Sequence, residues 1–170
     1  MEVAQAIRTK RAVRVFRPDP LPEDVLKAIL NAGRRAQSAK NMQPWHFIVV
    51  RERERLEALS RLGTYAGHLA GAAAGIAIVT PPWEQRFSIM FDTGQAAAYM
   101  QLAAWELGVA SCLATIYEPD KARELLGFPT ELTLRIAISF GYPLPQDIEA
   151  RPPARSGRRP FDEVVHWEHW

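Results

Sequence analysis

The chain has 170 residues, of which 48% are hydrophobic, 24% charged and 9% aromatic. This composition and length suit one hydrophobic core, and they exclude a disordered chain, a collagen-like repeat and a disulfide scaffold. Since Cys112 is the only cysteine, no internal disulfide can form, and we expect a cytoplasmic protein. The formal net charge of +2 gives no overall field that would attract nucleic acid.

The basic residues are biased towards arginine, because only four of the 21 are lysine. Arginine presents a planar fork of N–H donors that binds phosphate through two hydrogen bonds at once. A GC-rich or heat-adapted genome explains the same bias equally well. The positions of the arginines, rather than their number, therefore decide which of them serve a ligand.

Hydrophobic periodicity predicts helices and strands in alternation along the chain. Helices are predicted over residues 2–10, 22–33, 52–62, 87–107 and 119–126. Strands are predicted over residues 45–50, 75–80, 109–117 and 132–140. This alternation indicates a layered domain of helices and sheet with one core and no internal repeat, so residues 1–170 are expected to form a single domain.

Residues 62–83 contain no Asp, Glu, Lys or Arg, and glycine recurs at every fourth position from Gly63 to Gly75. Small residues at that spacing are typical of membrane helices. Alanine and glycine, however, make the segment too weakly hydrophobic for a membrane span of about 20 residues. We predict a short buried helix followed by a strand, and no membrane segment. The polar N-terminal residues show no secretory signal pattern.

Two predicted segments carry apolar surface that must be buried against other parts of the protein or against a partner. The predicted helix 87–107 is apolar on nearly all faces, so it must be covered on all sides. A second subunit would supply part of that cover, and the core of a monomer is the alternative. Residues 143–160 are rich in proline and arginine and predict an extended arm, which ends in an apolar tail that must dock on the chain's own body or on a partner. The apolar tail residues are Phe161, Val164, Val165, Trp167 and Trp170.

Common catalytic and metal-binding motifs are missing from the sequence. There is no Walker loop, no GxSxG elbow and no GxGxxG dinucleotide fingerprint. His166 and His169 lie three residues apart without further ligands nearby, so we predict no metal site. Cys112 has no evident basic partner, which favours a small buried apolar residue over a nucleophile.

Two polar clusters flank the second predicted helix. Residues 8–14 contain four cations, which repel one another unless a multivalent anion lies between them, so they indicate a phosphate site. A solvated basic face is the alternative. In residues 38–45, the amides of Asn41 and Gln43 can each donate and accept hydrogen bonds, which suits the edge of a heterocyclic ring. Turn chemistry is the alternative for this second cluster.

Together with two later segments, these clusters resemble the FMN-dependent nitroreductase family. The similar segments are residues 7–16 (IRTKRAVRVF), 38–50 (SAKNMQPWHFIVV), 141–143 (GYP) and 158–166 (RRPFDEVVH). They occur in the family's order over essentially the whole chain. The basic opening combined with the S-x-x-N-x-Q-P-W motif is specific, whereas G-Y-P is informative only through its place after the last core strand.

The resemblance implies an α+β fold, a three-layer α/β/α sandwich with a mixed, mostly antiparallel sheet. It also implies a homodimer that exchanges its C-terminal arms, residues 143–170, and binds FMN at the interface. Such enzymes take a hydride from NADH or NADPH onto FMN and pass electrons to a nitroaromatic, quinone or similar acceptor in a ping-pong cycle. A reductive dehalogenase-like or other flavin-based activity of the superfamily is the alternative, and a non-catalytic basic binding module is a more distant one. Neither nucleic acid nor a membrane is expected as a partner.

The resemblance assigns FMN contacts to four parts of the chain. The basic opening contributes Lys10, Arg11, Ala12 and Arg14. The second subunit contributes Ser38, Ala39 and Asn41, and Gln43 lies in the same motif and is also predicted to bind FMN. The backbone beside the ring atom N5 belongs to Leu113, Ala114 and Thr115. The arm contributes a phosphate contact from Arg158 or Arg159, with Arg155 less favoured.

We expect no protein side chain to act as general base or nucleophile, because FMN performs the redox chemistry. Arg14 is predicted to stabilise negative charge near N1 and the C2 carbonyl of the reduced ring. The sequence departs from the family at Ala12, where a serine is usual, and at Gln37, where proline is common. The acidic residue that some family members place beside N5 has no counterpart near Thr115, and the chain is short for the family. These differences leave the acceptor undetermined. The choice between NADH and NADPH is also open, because the sequence contains no dinucleotide fingerprint.

Overall fold

A four-stranded antiparallel sheet forms the middle layer of the computed structural model, which describes residues 1–148 and 157–170. The strands are β1 (His46–Val50), β2 (Ala74–Thr80), β3 (Ala110–Thr115) and β4 (Thr133–Gly141), and they lie in the order β1-β2-β4-β3. Their β-branched and small apolar residues fit a pleated surface that is covered on both sides. All three strand pairs are antiparallel, and one isolated parallel bridge joins Ala12 to Ser111.

Helices flank the sheet on both sides. The described α-helices are α1 (Val3–Thr9), α2 (Glu23–Arg34), α3 (Arg53–Ser60), α4 (Ser88–Glu106), α5 (Pro119–Leu126) and α6 (Pro145–Ile148). Short 3₁₀ turns occur at Ala39–Asn41, Gly67–Leu69, Trp83–Gln85 and Phe161–Glu163. The five helices predicted from periodicity are all present, with ends that differ by at most two residues.

Helices α2 and α4 cover one face of the sheet. Helix α2 begins directly after Pro22, whose missing N–H costs nothing at a helix start, and its first turn is acidic, as the helix dipole favours. Ile29 of α2 and Met100 of α4 are fully buried in a cluster that also includes Ile76 and Ile138 of the sheet. This cluster is the larger part of the core.

Helices α3 and α5, together with residues 62–69, cover the opposite face. Leu59 and Ala122 pack in a second buried cluster with Ala77 and Ala137 of the sheet. Small side chains on this face allow the helices to approach closely. The two helical layers and the sheet between them confirm the predicted three-layer α+β sandwich.

The segment between α3 and β2 differs from the prediction. It contains a single 3₁₀ turn, Gly67–Leu69, rather than a helix, because glycine loses more conformational freedom than other residues when it enters a helix. The Leu62 carbonyl accepts a hydrogen bond from the N–H of Tyr117 at 2.8 Å, which ties the start of the segment to the chain just beyond β3. None of the described helices is long and apolar enough to cross a membrane.

Helix α4 has one side in the core and an apolar side in solvent. Ile89, Ala96 and Met100 are buried, whereas Phe91 is 62% exposed. Other large apolar residues exposed along or at the ends of this helix are Phe87, Met90, Tyr99 and Leu107. In the isolated chain, the core therefore buries one side of this helix, and the apolar residues on its other side stay exposed to solvent.

The sequence predicts an extended C-terminal arm from residue 143 onwards, but the arm begins with a short helix. Pro143 pairs with Phe16 in an isolated antiparallel bridge, and helix α6 follows at once. Farther on, the described tail, residues 157–170, leaves Trp167 76% and Trp170 98% exposed. The chain's own body therefore does not cover these two side chains.

We predict that Gly63→Ala destabilises the fold, because a Cβ at Gly63 would lie 2.0 Å from the carbonyl oxygen of Thr115 on β3. Gly67→Ala is the matched control, since nothing lies within 4 Å of a Cβ there. We expect urea unfolding, followed by circular dichroism, to show a loss of about 1–3 kcal/mol for Gly63→Ala. The control should change stability by no more than about 0.5 kcal/mol. Equal stabilities for the two variants would contradict the close approach of residues 62–69 to β3.

Candidate functional site

The N-terminal basic cluster lies along the outer edge of β3. The N–H of Val13 donates to the carbonyl of Ser111 at 3.1 Å, and Ala12 bridges to the same residue. Val13 and Phe16 are buried with Ala110 in a small cluster of their own. Because neighbouring side chains of an extended segment point in opposite directions, burial of Val13 directs the side chain of Arg14 outwards.

Lys10 and Arg14 both lie near enough to Cys112 of β3 for their charges to act on its thiol. Burial lowers the pKa of Lys10, and the neighbouring Cys112 opposes this effect. Burial also raises the pKa of Cys112, while Arg14 and Lys10 act to lower it. The expectation that Cys112 has no basic partner is therefore wrong. Burial nevertheless dominates, so the thiol stays protonated at neutral pH and is not an activated nucleophile.

No acidic side chain neutralises these two cations in the described part of the chain. The ion pairs found there do not include Lys10 or Arg14. Two cations that act on the same residue of β3 without a described counter-charge favour an anion nearby. The phosphate site stays a prediction at this point.

His68, which sequence reasoning missed, supports β3 at the same edge. Its Nε2 lies 3.2 Å from the carbonyl oxygen of Leu113, and its Nδ1 lies 2.7 Å from Oγ of Ser139. A neutral ring with its proton on Nε2 donates to Leu113 and accepts from the Ser139 hydroxyl. Burial lowers the pKa of His68, the bond to Leu113 raises it, and the charge of Arg14 lowers it. The only sign of this role in the sequence is that His68 lies within a segment that has no Asp, Glu, Lys or Arg.

The predicted ring-contact strand presents alternating faces. The side chains of Leu113 and Thr115 are exposed, whereas Ala114 is buried against the α3 and α5 layer. The N–H of Ile116 donates to the Arg135 carbonyl at 2.9 Å, so it is used within the sheet. A planar ligand on this strand would therefore meet the side chains of Leu113 and Thr115 and the backbone between them.

The second polar cluster forms a tight loop before β1. Lys40, Asn41 and Gln43 all have left-handed backbone angles, with φ of 54°, 55° and 47°. The Ser38 hydroxyl accepts a hydrogen bond from the N–H of Gln43 at 2.9 Å, and the N–H of Ala39 donates to Oδ1 of Asp92 at 3.0 Å. The side chains of Asn41 and Gln43 are exposed, so their amides face outwards.

The two predicted clusters do not meet within one chain. The loop at residues 38–43 leads into β1, and the basic opening pairs with the outer edge of β3, so β2, β4 and β3 lie between them. Four strand spacings amount to about 19 Å. Arg158 and Arg159 lie on the exposed tail, and Arg155 lies outside the described residues. A single protomer therefore presents the predicted contacts as separate surfaces.

A cavity of about 330 Å³ lies between the first half of α4 and the sheet, beside Thr115. Its walls are mainly apolar and include Ile78, Ile89, Met90 and Ile136. Trp83 and Arg135 add an aromatic ring and a cation to the lining. This volume falls within the range of small-molecule sites.

The two histidines of the tail, His166 and His169, contact the nearby Trp170. The ring of His166 stacks on that of Trp170 at a centroid distance of 4.3 Å, and Nδ1 of His169 lies 3.2 Å from the Trp170 carbonyl oxygen. Across residues 1–148 and 157–170, no group of three or more His, Cys, Asp or Glu side chains is placed to hold a metal ion.

Comparison with known families identifies the chain's relatives. The model of the nitroreductase family matches residues 7–66 and 59–142, which together make up more than half of the chain. The chain belongs to the nitroreductase family. The match starts at the basic opening and ends just before Pro143, so it includes both predicted clusters and β3.

Individual members of the nitroreductase family align over most of the chain. A protein of Archaeoglobus fulgidus, provisionally named NADH dehydrogenase/NAD(P)H nitroreductase, is 34% identical over 84% of this chain and 86% of its own length. The NADH dehydrogenase of Thermus thermophilus is 27% identical, with 98% and 96% covered. The structure of an FMN-dependent nitroreductase from Clostridium difficile is 27% identical, with a TM-score of 0.85 and 99% and 100% covered. The similarity therefore extends to the C-terminal tail.

The buried His68 predicts a pH dependence of stability. Because its pKa is lowered in the folded chain, the unfolded chain binds a proton more readily below the usual histidine pKa of about 6.5. The stabilising effect of neutral His68 is therefore complete above that pH and is lost as the pH falls below it. Urea unfolding between about pH 5 and pH 8 should show this loss, with a slope of at most about 1.4 kcal/mol per pH unit.

His68→Gln should show a shallower loss over the same range, because glutamine does not titrate. His46→Gln, at the exposed start of β1, is the matched control and should follow the parent chain. If His68→Gln and the parent chain have the same slope, His68 does not make this contribution.

Proposed function

We propose that this chain is a cytoplasmic FMN-dependent NAD(P)H oxidoreductase that acts as a homodimer. It forms one FMN-binding domain, residues 1–170, with an arm from residue 143, and it passes electrons to a nitroaromatic, quinone or similar acceptor in a ping-pong cycle. The observation that carries the proposal is the pair of cations, Lys10 and Arg14, whose charges act on Cys112 of β3 and which have no ion-pair partner among the described residues. The names of the Archaeoglobus, Thermus and Clostridium relatives support the nicotinamide donor and FMN.

The residues at the β3 edge fit the chemistry of FMN. Its phosphate is a multivalent anion, and guanidinium and ammonium groups are the side chains that bind phosphate best. Lys10, Arg11 and Arg14 would hold the phosphate and the pyrimidine side, with the backbone of Ala12 beside them. Arg158 or Arg159, carried on the tail of the partner, would complete the phosphate contact.

When bound, FMN supplies the redox chemistry by accepting a hydride from NADH or NADPH and passing electrons to the acceptor. Arg14 contributes a fixed positive charge at the pyrimidine side, which favours the more negative form of the cofactor and so promotes hydride uptake. The backbone of Leu113, Ala114 and Thr115 orients the ring, and the hydrogen bond from His68 holds the Leu113 carbonyl in place. No side chain of the site acts as general base or nucleophile.

The loop at residues 38–43 supplies the remaining contacts from the second subunit. Asn41 and Gln43 direct their amides outwards, and Ser38 and Ala39 lie beside them. These residues are separated from Lys10 and Arg14 of the same chain by three strands, β2, β4 and β3. One FMN can therefore meet both groups only where two chains pack together.

Exposed apolar surface supports the same dimer. Phe91 and its neighbours form an uncovered side of α4, and Trp167 and Trp170 are uncovered on the tail. Burial of such surfaces between two chains removes apolar area from water, which is the main driving force of association. We assign α4 to the subunit seam and the tail to the surface of the partner.

The cavity beside Thr115 suits a flat, apolar electron acceptor. It adjoins the strand on which the ring would lie, and its lining is mainly aliphatic with one indole and one guanidinium group. An aromatic nitro compound or quinone would pack against Ile89 and Ile136 with its polar atoms towards Arg135. This arrangement favours electron transfer to an aromatic acceptor over binding of a nucleic acid.

Anaerobic titration of the purified protein tests the proposal. We expect a yellow dimer with about one FMN per chain that is bleached by NADH or NADPH and regains colour when a quinone or nitroaromatic compound is added. Initial rates at several acceptor concentrations should give the parallel reciprocal plots of a ping-pong cycle. A flavin that resists both nicotinamides would indicate the dehalogenase-like alternative. A colourless monomer that ignores added FMN would refute flavin binding altogether.

Arg14→Gln separates the electrostatic role of this residue from simple affinity. We expect the rate of FMN reduction by NAD(P)H to fall about tenfold, which corresponds to about 1.4 kcal/mol, and the Kd for FMN to rise by a smaller factor. Stopped-flow absorbance and fluorescence titration measure the two quantities. Arg55→Gln, on the exposed surface of α3, is the matched control and should leave both unchanged. Equal losses of rate and affinity would contradict the role of Arg14.

A further inference from the structure

The loop at residues 38–43 is held in a conformation that its residues do not favour. Lys40, Asn41 and Gln43 are all left-handed, and none of them is glycine. A Cβ in this region of backbone space crowds the adjacent carbonyl, so each position is strained. Such a loop keeps its shape only where the surrounding structure restrains it.

Asp92 supplies a restraint from outside the loop. It lies on α4, and its Oδ1 accepts the hydrogen bond from the N–H of Ala39 at 3.0 Å. Its side chain is only 4% exposed, and the guanidinium Nη2 of Arg86 lies 3.7 Å from its Oδ2. Helix α4 is itself fixed by the core through Ile89 and Ala96, so the carboxylate is a rigid anchor.

A buried carboxylate at position 92 would be unfavourable for stability if its only role were to fill space. Burial of a charge is unfavourable unless it is paired and hydrogen-bonded, and Oδ2 of Asp92 has no hydrogen-bond partner among the described residues. Nε of Arg86, just before α4, and Oγ of Ser88, the first residue of α4, are also buried and have no hydrogen-bond partner among the described residues. A charged acceptor does, however, bind a backbone N–H more strongly than a neutral one.

We propose that Asp92, supported by Arg86, is a positioning residue that holds the 38–43 loop in the conformation that contacts FMN. This inference rests on the proposed function. Asp92 acts through the N–H of Ala39 and does not touch the cofactor. Because α4 also bears the exposed side assigned to the subunit seam, the same helix sets the position of the loop relative to the partner chain.

Three variants test the role of Asp92. Asp92→Ala removes the acceptor, Asp92→Asn keeps an acceptor but removes the charge, and Arg86→Gln removes the counter-charge. Val79→Ala, in the core cluster on the opposite face of the sheet, is the control for a loss of stability without a change in the loop. Each variant is measured in the full chain, both free of FMN and loaded with FMN.

In the loaded protein, we expect Asp92→Ala to raise the Kd for FMN about tenfold and to change the visible circular dichroism of the bound flavin. Asp92→Asn should recover most of the affinity, and Arg86→Gln should show a smaller loss than Asp92→Ala. Val79→Ala should lower Tm without changing either flavin signal. Unchanged affinity and dichroism in Asp92→Ala, or an equal loss of affinity in Val79→Ala, would overturn the positioning role.

Amide hydrogen exchange in the FMN-free protein tests the anchor itself. We expect the N–H of Ala39 to be protected in the parent chain and to lose that protection in Asp92→Ala but not in Val79→Ala. An unprotected Ala39 in the parent chain would overturn the inference whatever the flavin results. A parent chain that binds no FMN would instead refute the proposed function, and titration of the parent shows this before any variant is compared.

Discussion

The pairing of the N-terminal segment with the edge of β3 determines where the candidate site lies. One backbone hydrogen bond, from Val13 to Ser111, and the burial of Val13 and Phe16 fix a short stretch that has no helix or strand of its own. As a result, Lys10 and Arg14 are held beside the strand on which the cofactor ring would lie. The edge strand is thereby covered as well, which removes a surface that would otherwise pair with other chains.

Helix α4 connects the remaining features of the molecule. Its inner side completes the core on the sheet, its outer side is apolar and exposed, and Asp92 near its start holds the loop at residues 38–43. In the proposed dimer, this helix would couple subunit association to the position of the loop that is proposed to contact FMN.

Local sequence signals succeed where the structure is set by neighbouring residues. Helix α5 has the predicted bounds, because proline at its start and Gly127 in a left-handed cap at its end are local signals. The Gly67–Leu69 turn was predicted as part of a helix, since periodicity cannot reveal that residues 62–69 are tied to β3. His68 and Asp92 were missed for the same reason. Their partners lie 71 and 53 residues away in the chain.

By itself, the sequence determined the layered α+β fold, the family resemblance and the residues that are proposed to bind the cofactor, because hydrophobic periodicity and short motifs are properties of adjacent residues. Only the tertiary structure decided which of these residues come together. It placed Lys10 and Arg14 where their charges act on Cys112 of β3. It placed the loop at residues 38–43 before β1, at the opposite end of the strand order, and it left Trp167 and Trp170 exposed. The order of strands in a sheet and the contacts of its edges depend on packing across the whole chain, and no local pattern contains that information.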